Sequence, residues 1–166
     1  MKTSHPNLKY HNWLIYKAND HFLQKNAARL RGRLYDLGCG EAPYRDLFMH
    51  YAEEYVGVDW SDSYHKTEAD IIADLNKPLP IESDVADTVV SLSVLEHLYN
   101  PQLMLCEAFR ILKRGGASCF RFLGSGGFMK RLTTSFDIRP MVFDTCFRKL
   151  VLLILLLSLR QDISLA

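Results

Sequence analysis

The spacing of apolar residues divides the first 115 residues into short segments of two kinds. Asn7 to Arg31 carries Leu8, Trp13, Leu14, Tyr16, Ala18, Phe22, Leu23, Ala27 and Leu30 at roughly helical intervals in a polar background, which predicts one or two amphipathic helices. The period then shortens. Arg33 to Leu37 predicts a strand stopped by Gly38-Cys39-Gly40, and Ala42 to Tyr51 resumes a helix with Leu47, Phe48 and Tyr51 on one side. Tyr55 to Asp59 and Asp70 to Asp74 predict two further strands, each ending in an acid, the second followed by a turn over 78–80. Ala86 to Leu92 predicts a fourth strand. It leads to a helix with Asn100 as its cap and Pro101 at its first position; Arg110, Lys113 and Arg114 fall in its last turns and Gly115 is its stop.

Strands alternating with helices predict an α/β fold, a parallel sheet covered by helices on both faces. Right-handed crossovers then place a ligand crevice at the carboxyl ends of the strands, beside the point where strand order reverses. Asp36, Gly38 and Gly40 fall at the end of the first strand, Asp59 at the second, Asp74 at the third and Ser93 just after the fourth. Glycines at 38 and 40 allow a tight turn and a close backbone approach to a ligand. Asp59 follows Gly40 by nineteen residues, the separation at which an acid reaches the two hydroxyls of a ribose, so the crevice suits a nucleoside.

Composition fits this picture: of 166 residues, 48% are apolar and 23% charged, the profile of one globular domain. The net charge of +1 gives no reason to expect nucleic acid or an anionic membrane as partner. Cys39, Cys106, Cys119 and Cys146 form no CxxC pair, and no histidine stands at a zinc-site spacing, so no metal is expected. The polar stretch from Met1 to Lys17, broken by Pro6, is no signal peptide, and a reduced cytoplasm is the expected location.

The loop after the first strand selects among nucleosides. A dinucleotide fold uses GxGxxG to bring a helix N-terminus against a pyrophosphate, whereas the third glycine position here is Pro43. Asp36, two residues before the first glycine, suits a cationic ligand better than a diphosphate. The string Asp36-Leu37-Gly38-Cys39-Gly40 resembles the glycine motif of class I S-adenosylmethionine-dependent methyltransferases. The match extends in order and spacing through Val56-Gly57-Val58-Asp59, Ala73-Asp74-Leu75, the segment from Asp87 to Leu98, and Leu112 to Gly116, and is similar to the methyltransferase type 11 group. This resemblance implies a Rossmann-like fold and methyl transfer from S-adenosylmethionine to a small-molecule acceptor. It implies that Gly38 and Gly40 line the methionine part of the cofactor, with Asp36 near its charged end. Asp59 would bind the ribose, Asp74 and the Leu75 backbone would edge the adenine, and Ser93 would border the sulfonium.

The pattern breaks near Gly115-Gly116. Residues 1–115 hold 13 basic and 16 acidic residues, residues 116–166 hold 7 and 3, and no Glu follows Glu107. Leu150 to Leu159 is an almost unbroken aliphatic run, far below the roughly 20 residues of a membrane span. The family resemblance implies a fifth strand ending in Val-Pro, an acceptor loop and two more strands, which the tail does not offer. Read one base out of frame, Met129 with Lys130 forces glutamate and Met141 with Val142 forces glycine. With synonymous choices elsewhere, Arg121 to Leu152 rereads as a string containing HEAPYDFFRYTP, which resembles the missing segment. The expectation is a domain over 1–116, with 1–31 as its helical start, and a tail over 117–166 out of frame, the alternative being a divergent, loop-rich tail. The sheet would be incomplete at that end and its edge exposed, and turnover would be weak.

Two rival functions stand beside this one: a nicotinamide oxidoreductase, which Pro43 disfavours, and a non-catalytic cofactor-binding domain. His97 is the candidate base, although Leu-Glu-His-Leu also serves to orient the next helix. Trp60 either packs on the adenine or covers the sheet edge. Tyr10, Trp13 and Tyr16 read as a helix face on the core, with closure of the cofactor site as the alternative, and Cys39 as a small filler rather than a nucleophile.

Overall fold

A computed structural model describes residues 13–60 and 68–121, and the backbone of 134–136. The elements are α1 (Trp13–Asn26), β1 (Arg33–Leu37), α2 (Arg45–Tyr51), β2 (Glu54–Asp59), β3 (Ile71–Ile72), β4 (Ala86–Leu92), α3 (Pro101–Ile111), β5 (Leu112–Arg121) and β6 (Thr134–Phe136). They form one six-stranded sheet in the order β3-β2-β1-β4-β5-β6. The first five strands run parallel, and β6 runs antiparallel along β5. Strand order therefore reverses between β1 and β4, as the alternation of strands and helices requires.

The period-two alternation of β1 sorts its side chains between two cores. Leu34 packs with Phe22 and Leu23 of α1 and Phe48 of α2, whereas Tyr35 and Leu37 pack with Met104, Leu105 and Ala108 of α3. Helices thus cover both faces of the sheet. A helix as short as α2 is not stable alone. Phe48, fully buried and stacked on Tyr55 at 6.0 Å between ring centroids, anchors it at about 1.5–3 kcal/mol of transfer energy.

Several boundaries differ from those the pattern predicts. The third strand keeps Ile71–Ile72 alone, because the Asp70 carboxylate turns inward to accept the Gly57 N–H at 2.8 Å and Asp74 folds its own loop. The second helix starts at Arg45 rather than Ala42: Ala42 takes φ +47°, and two successive turns precede the helix. Asn100 caps α3 as expected, accepting the Leu103 N–H at 3.2 Å, with Pro101 as the first residue. That helix ends at Ile111, however, and Lys113 and Arg114 lie in β5. Leu112 already pairs with Ala86, and pairing resumes at Ala117 opposite Thr88, so 113–116 bulge out of the ladder with Gly115 at φ +79°.

Residues 117–121 pair in register with Thr88 to Leu92, and Ser118, Cys119 and Phe120 are buried. The sheet therefore runs five residues past the expected boundary at Gly116. Its β5 edge, expected to be open, carries β6 opposite Ser118 to Phe120. The predicted helical residues before Trp13, and the aliphatic run from Leu150 to Leu159, lie outside the described residues.

Candidate functional site

At the carboxyl end of β1 the chain turns sharply. The N–H groups of Gly38 and Cys39 both reach the Val58 carbonyl, at 2.8 and 3.3 Å, which carries the turn across to β2. Gly38 has φ +85°, and a Cβ there would stand 2.3 Å from Cγ2 of Val94, so only glycine fits between this turn and the segment after β4. Asp36, two residues before Gly38, is 4% exposed and accepts a hydrogen bond from the Tyr55 hydroxyl at 3.1 Å. Burial, opposed by that hydrogen bond and helped by the negative charge of Asp59, pushes its carboxyl up to about 7.

A cavity of about 230 Å³ lies at the switch point, between the carboxyl ends of β1 and β4. Asp36, Gly38 and Ser93 line it together with Ile15, Tyr16 and Asn19 of α1 and with Tyr44. Its size is below the roughly 300–1,000 Å³ of small-molecule sites, room for one end of an extended ligand. Ser93 has φ +59°, and its buried hydroxyl has no hydrogen-bond partner among the described residues. A buried hydroxyl without a partner is costly, by about 1–3 kcal/mol, and a polar ligand group in the cavity would relieve that cost.

Gly40, Asp59 and Trp60 lie outside the cavity, along its rim. Asp59 accepts the Gly40 N–H through Oδ2 at 2.5 Å and the Trp60 N–H through Oδ1 at 2.7 Å. A carboxylate offers about four lone-pair positions, so both oxygens retain capacity for two further donors such as vicinal hydroxyls. Trp60 is 49% exposed, an aromatic face beside that carboxylate. Asp74 is differently employed: its carboxylate accepts the Asn76 N–H at 2.9 Å and pairs with Lys77 at 3.3 Å. The Asn76 hydrogen bond, foremost, holds its carboxyl below the usual range. Asp74 thus shapes the loop after β3, and Leu75 packs into the α3-side core. His97 lies exposed in a short 3₁₀ turn whose N–H bonds to Val94, and it does not line the cavity.

The structure also brings in residues that the apolar pattern passes over. Asn19 and Asp20 are buried on the inward face of α1, beside Tyr16, which lines the cavity as the second of its two readings allows. Tyr44, in the turn before α2, is buried against them. Gly57 matters for close approach: a Cβ there would meet Cys39 Sγ at 2.9 Å. The signal available in the sequence was polar residues inside a helical apolar stripe, which reads equally well as an imperfect stripe.

Residues 35–120, more than half of the chain, match the family described as "Methyltransferase domain". The chain is 29% identical over 108 residues to the "Probable S-adenosylmethionine-dependent methyltransferase" of Mycolicibacterium smegmatis, covering 61% of this chain and 42% of that protein. It is 30% identical over 109 residues to the ubiquinone biosynthesis O-methyltransferase of Maricaulis maris, covering 58% and 43%. The chain thus spans less than half the length of these relatives. Among solved structures, the PH0226 protein of Pyrococcus horikoshii superposes with a TM-score of 0.55 at 21% identity, over 73% of this chain and 59% of that one. The YcgJ protein of Bacillus subtilis does so with a TM-score of 0.53 at 18% identity, over 63% and 50%. These two likenesses bear on the fold.

Proposed function

The chain belongs to the methyltransferase domain family, and on that footing we propose that it binds S-adenosylmethionine at the β1–β4 switch point and serves methyl transfer to a small-molecule acceptor. In this reading the amino-acid end of the donor enters the cavity along Gly38, its ammonium group against Asp36, and Ser93 borders the sulfonium. The ribose hydroxyls meet the free lone pairs of Asp59 beyond Gly40, and the adenine lies along Trp60 toward the loop of Asp74 and Leu75.

The observation that carries the reading is the pairing of a buried carboxyl with an orphaned hydroxyl in one cavity, next to a rim carboxylate with open acceptor positions. Such a set suits a ligand that is cationic at one end and a nucleoside at the other. S-adenosylmethionine brings an electrophilic methyl group. The chain's own residues hold and orient the donor, which is most of what an in-line transfer needs from this half of an enzyme. His97, exposed and not among the residues lining the cavity, carries no step in this reading.

The acceptor side belongs to the segment after Arg121, which we infer is encoded in the neighbouring frame. On that basis the chain binds the donor and turns it over weakly. Isothermal titration with S-adenosylmethionine and with NADH tests the binding half: saturable heat with the first and none with the second is expected. Binding of NADH alone would overturn the assignment.

A further inference from the structure

Helix α1, which contributes Ile15, Tyr16 and Asn19 to the cavity lining, is unusual in the polar side chains it buries. An amphipathic helix normally turns its apolar stripe to the core, yet α1 buries Asn19 and Asp20 at 4% and 9% exposure. Both meet one side chain. The Tyr44 hydroxyl donates to the Tyr16 main-chain carbonyl at 3.4 Å, and the Asp20 carboxylate and the Asn19 side chain are its polar neighbours. Burial and the charge of Asp20 hold the phenol far above its usual range, so it stays a neutral donor. The ring packs against Phe48 at 6.2 Å between centroids, which fixes it to α2 independently of α1. Asn19 also accepts a hydrogen bond from the Arg121 guanidinium. Tyr16, Asn19 and Tyr44 all line the cavity.

We propose that Tyr44 is a positioning residue for the ligand's amino-acid end: through its hydroxyl it seats α1 as the closing wall of the cavity, and the seating of that wall sets affinity for ligands that enter the cavity while leaving the rim unaffected. The idea rests on the donor-binding reading for its ligand, but the seating of α1 does not. A purely apolar contact would bury α1 as well. What the polar contacts add is one angular position of the helix, because hydrogen bonds are directional where apolar packing is not. That position places Tyr16 and Asn19 in the same cavity lining as Asp36.

The test uses Tyr44→Phe in the full chain, which keeps the ring and its packing on Phe48 and removes the hydroxyl. Hydrogen exchange of the ligand-free protein should show amides 13–26 opening about fivefold faster, with β1 and β4 unchanged, as loss of roughly one hydrogen bond predicts. Titration should show affinity for S-adenosylmethionine and S-adenosylhomocysteine falling about fivefold, while methylthioadenosine, which lacks the amino-acid end, binds as to the unsubstituted chain. Equal losses for all three ligands would make Tyr44 a merely structural residue and overturn the proposal, as would unchanged exchange in α1. If α1 loosens but neither protein binds any of the three ligands, the donor-binding reading fails and with it the ligand role of Tyr44, while the seating of α1 stands.

Discussion

The main-chain N–H of Gly40 and the side chain of Asp59, on different crossovers, are joined by a hydrogen bond of 2.5 Å. The bond fixes the carboxylate beside the glycine turn, with acceptor capacity remaining on both oxygens. Asp59→Ala removes both the anchor of the glycine turn and the proposed ribose acceptor. S-adenosylmethionine affinity should fall about 10- to 100-fold, the range for a charged hydrogen-bonding group, as read by isothermal titration. Undiminished affinity would remove Asp59 from the site.

The two glycines of the turn differ in a way that mutation can read. At Gly38, alanine would face both φ +85° and a Val94 methyl 2.3 Å away; at Gly40, φ +56° is the sole obstacle, since the nearest atom is Asp59 Oδ2 at 4.0 Å. Gly40→Ala should cost about 1–2 kcal/mol from backbone strain. Gly38→Ala should cost about 2–5 kcal/mol, because overpacking adds to the strain. Urea unfolding of both variants checks the order.

Asp36 makes the empty domain sensitive to pH. Its folded-state carboxyl sits at about 7, above the ordinary value of 3.8, so the folded state holds a proton that the unfolded chain gives up earlier. Its contribution to stability is therefore full below about pH 4 and is lost as pH rises through about 7. Thermal unfolding of the ligand-free chain from pH 5 to about pH 8 should show a fall in Tm that Asp36→Asn abolishes. Affinity for a cationic ligand should move the opposite way, rising over the same interval as the carboxylate forms.

Glu107 fastens the loop after β3 to α3. It accepts the Leu79 N–H at 2.7 Å and pairs with Arg110 at 2.7 Å, while Arg110 also donates to the carbonyls of Leu79 and Ile81. The Arg110 hydrogen bond, foremost, holds the Glu107 carboxyl below its usual range, so its contribution is present at neutral pH and lost on acidification. Glu107→Ala should cost about 2–3 kcal/mol at pH 7 and less in acid, measured by denaturant titration at both pH values.

The reading frame is open to direct inspection. DNA encoding residues 121–152 should read, one base displaced, through codons for HEAPYDFFRYTP. A version restored to that frame should turn over S-adenosylmethionine faster than this chain in a methyl-transfer assay. Codons incompatible with the displaced reading would end the proposal.

How far the sequence spoke depended on whether one residue type had one job. Strands β1 and β4 matched their expected limits because each alternates between two apolar cores, and Asn100-Pro101 marked the start of α3 because the cap chemistry is local. The end of α3 was misplaced: Lys113, Arg114 and Gly115 suit a helix end, but Leu112 is claimed by its pairing with Ala86, a contact between distant segments. Asp36, Gly38 and Ser93 do meet at one cavity, whereas Asp59 stands at its rim and Asp74 is occupied by Asn76 and Lys77. The polar wall of α1 was not legible, since Asn19 and Asp20 acquire their meaning from Tyr44 across the fold.

Cys39 lies in the wall of the same cavity, its sulfur filling the space that a side chain at position 57 would need. Burial first, and the negative charges of Asp36 and Asp59 after it, push the thiol up to about 12. Only a thiolate attacks an alkylating centre at an appreciable rate. On the proposed reading, the thiol beside the glycine turn would therefore stay protonated and would not consume a sulfonium bound there.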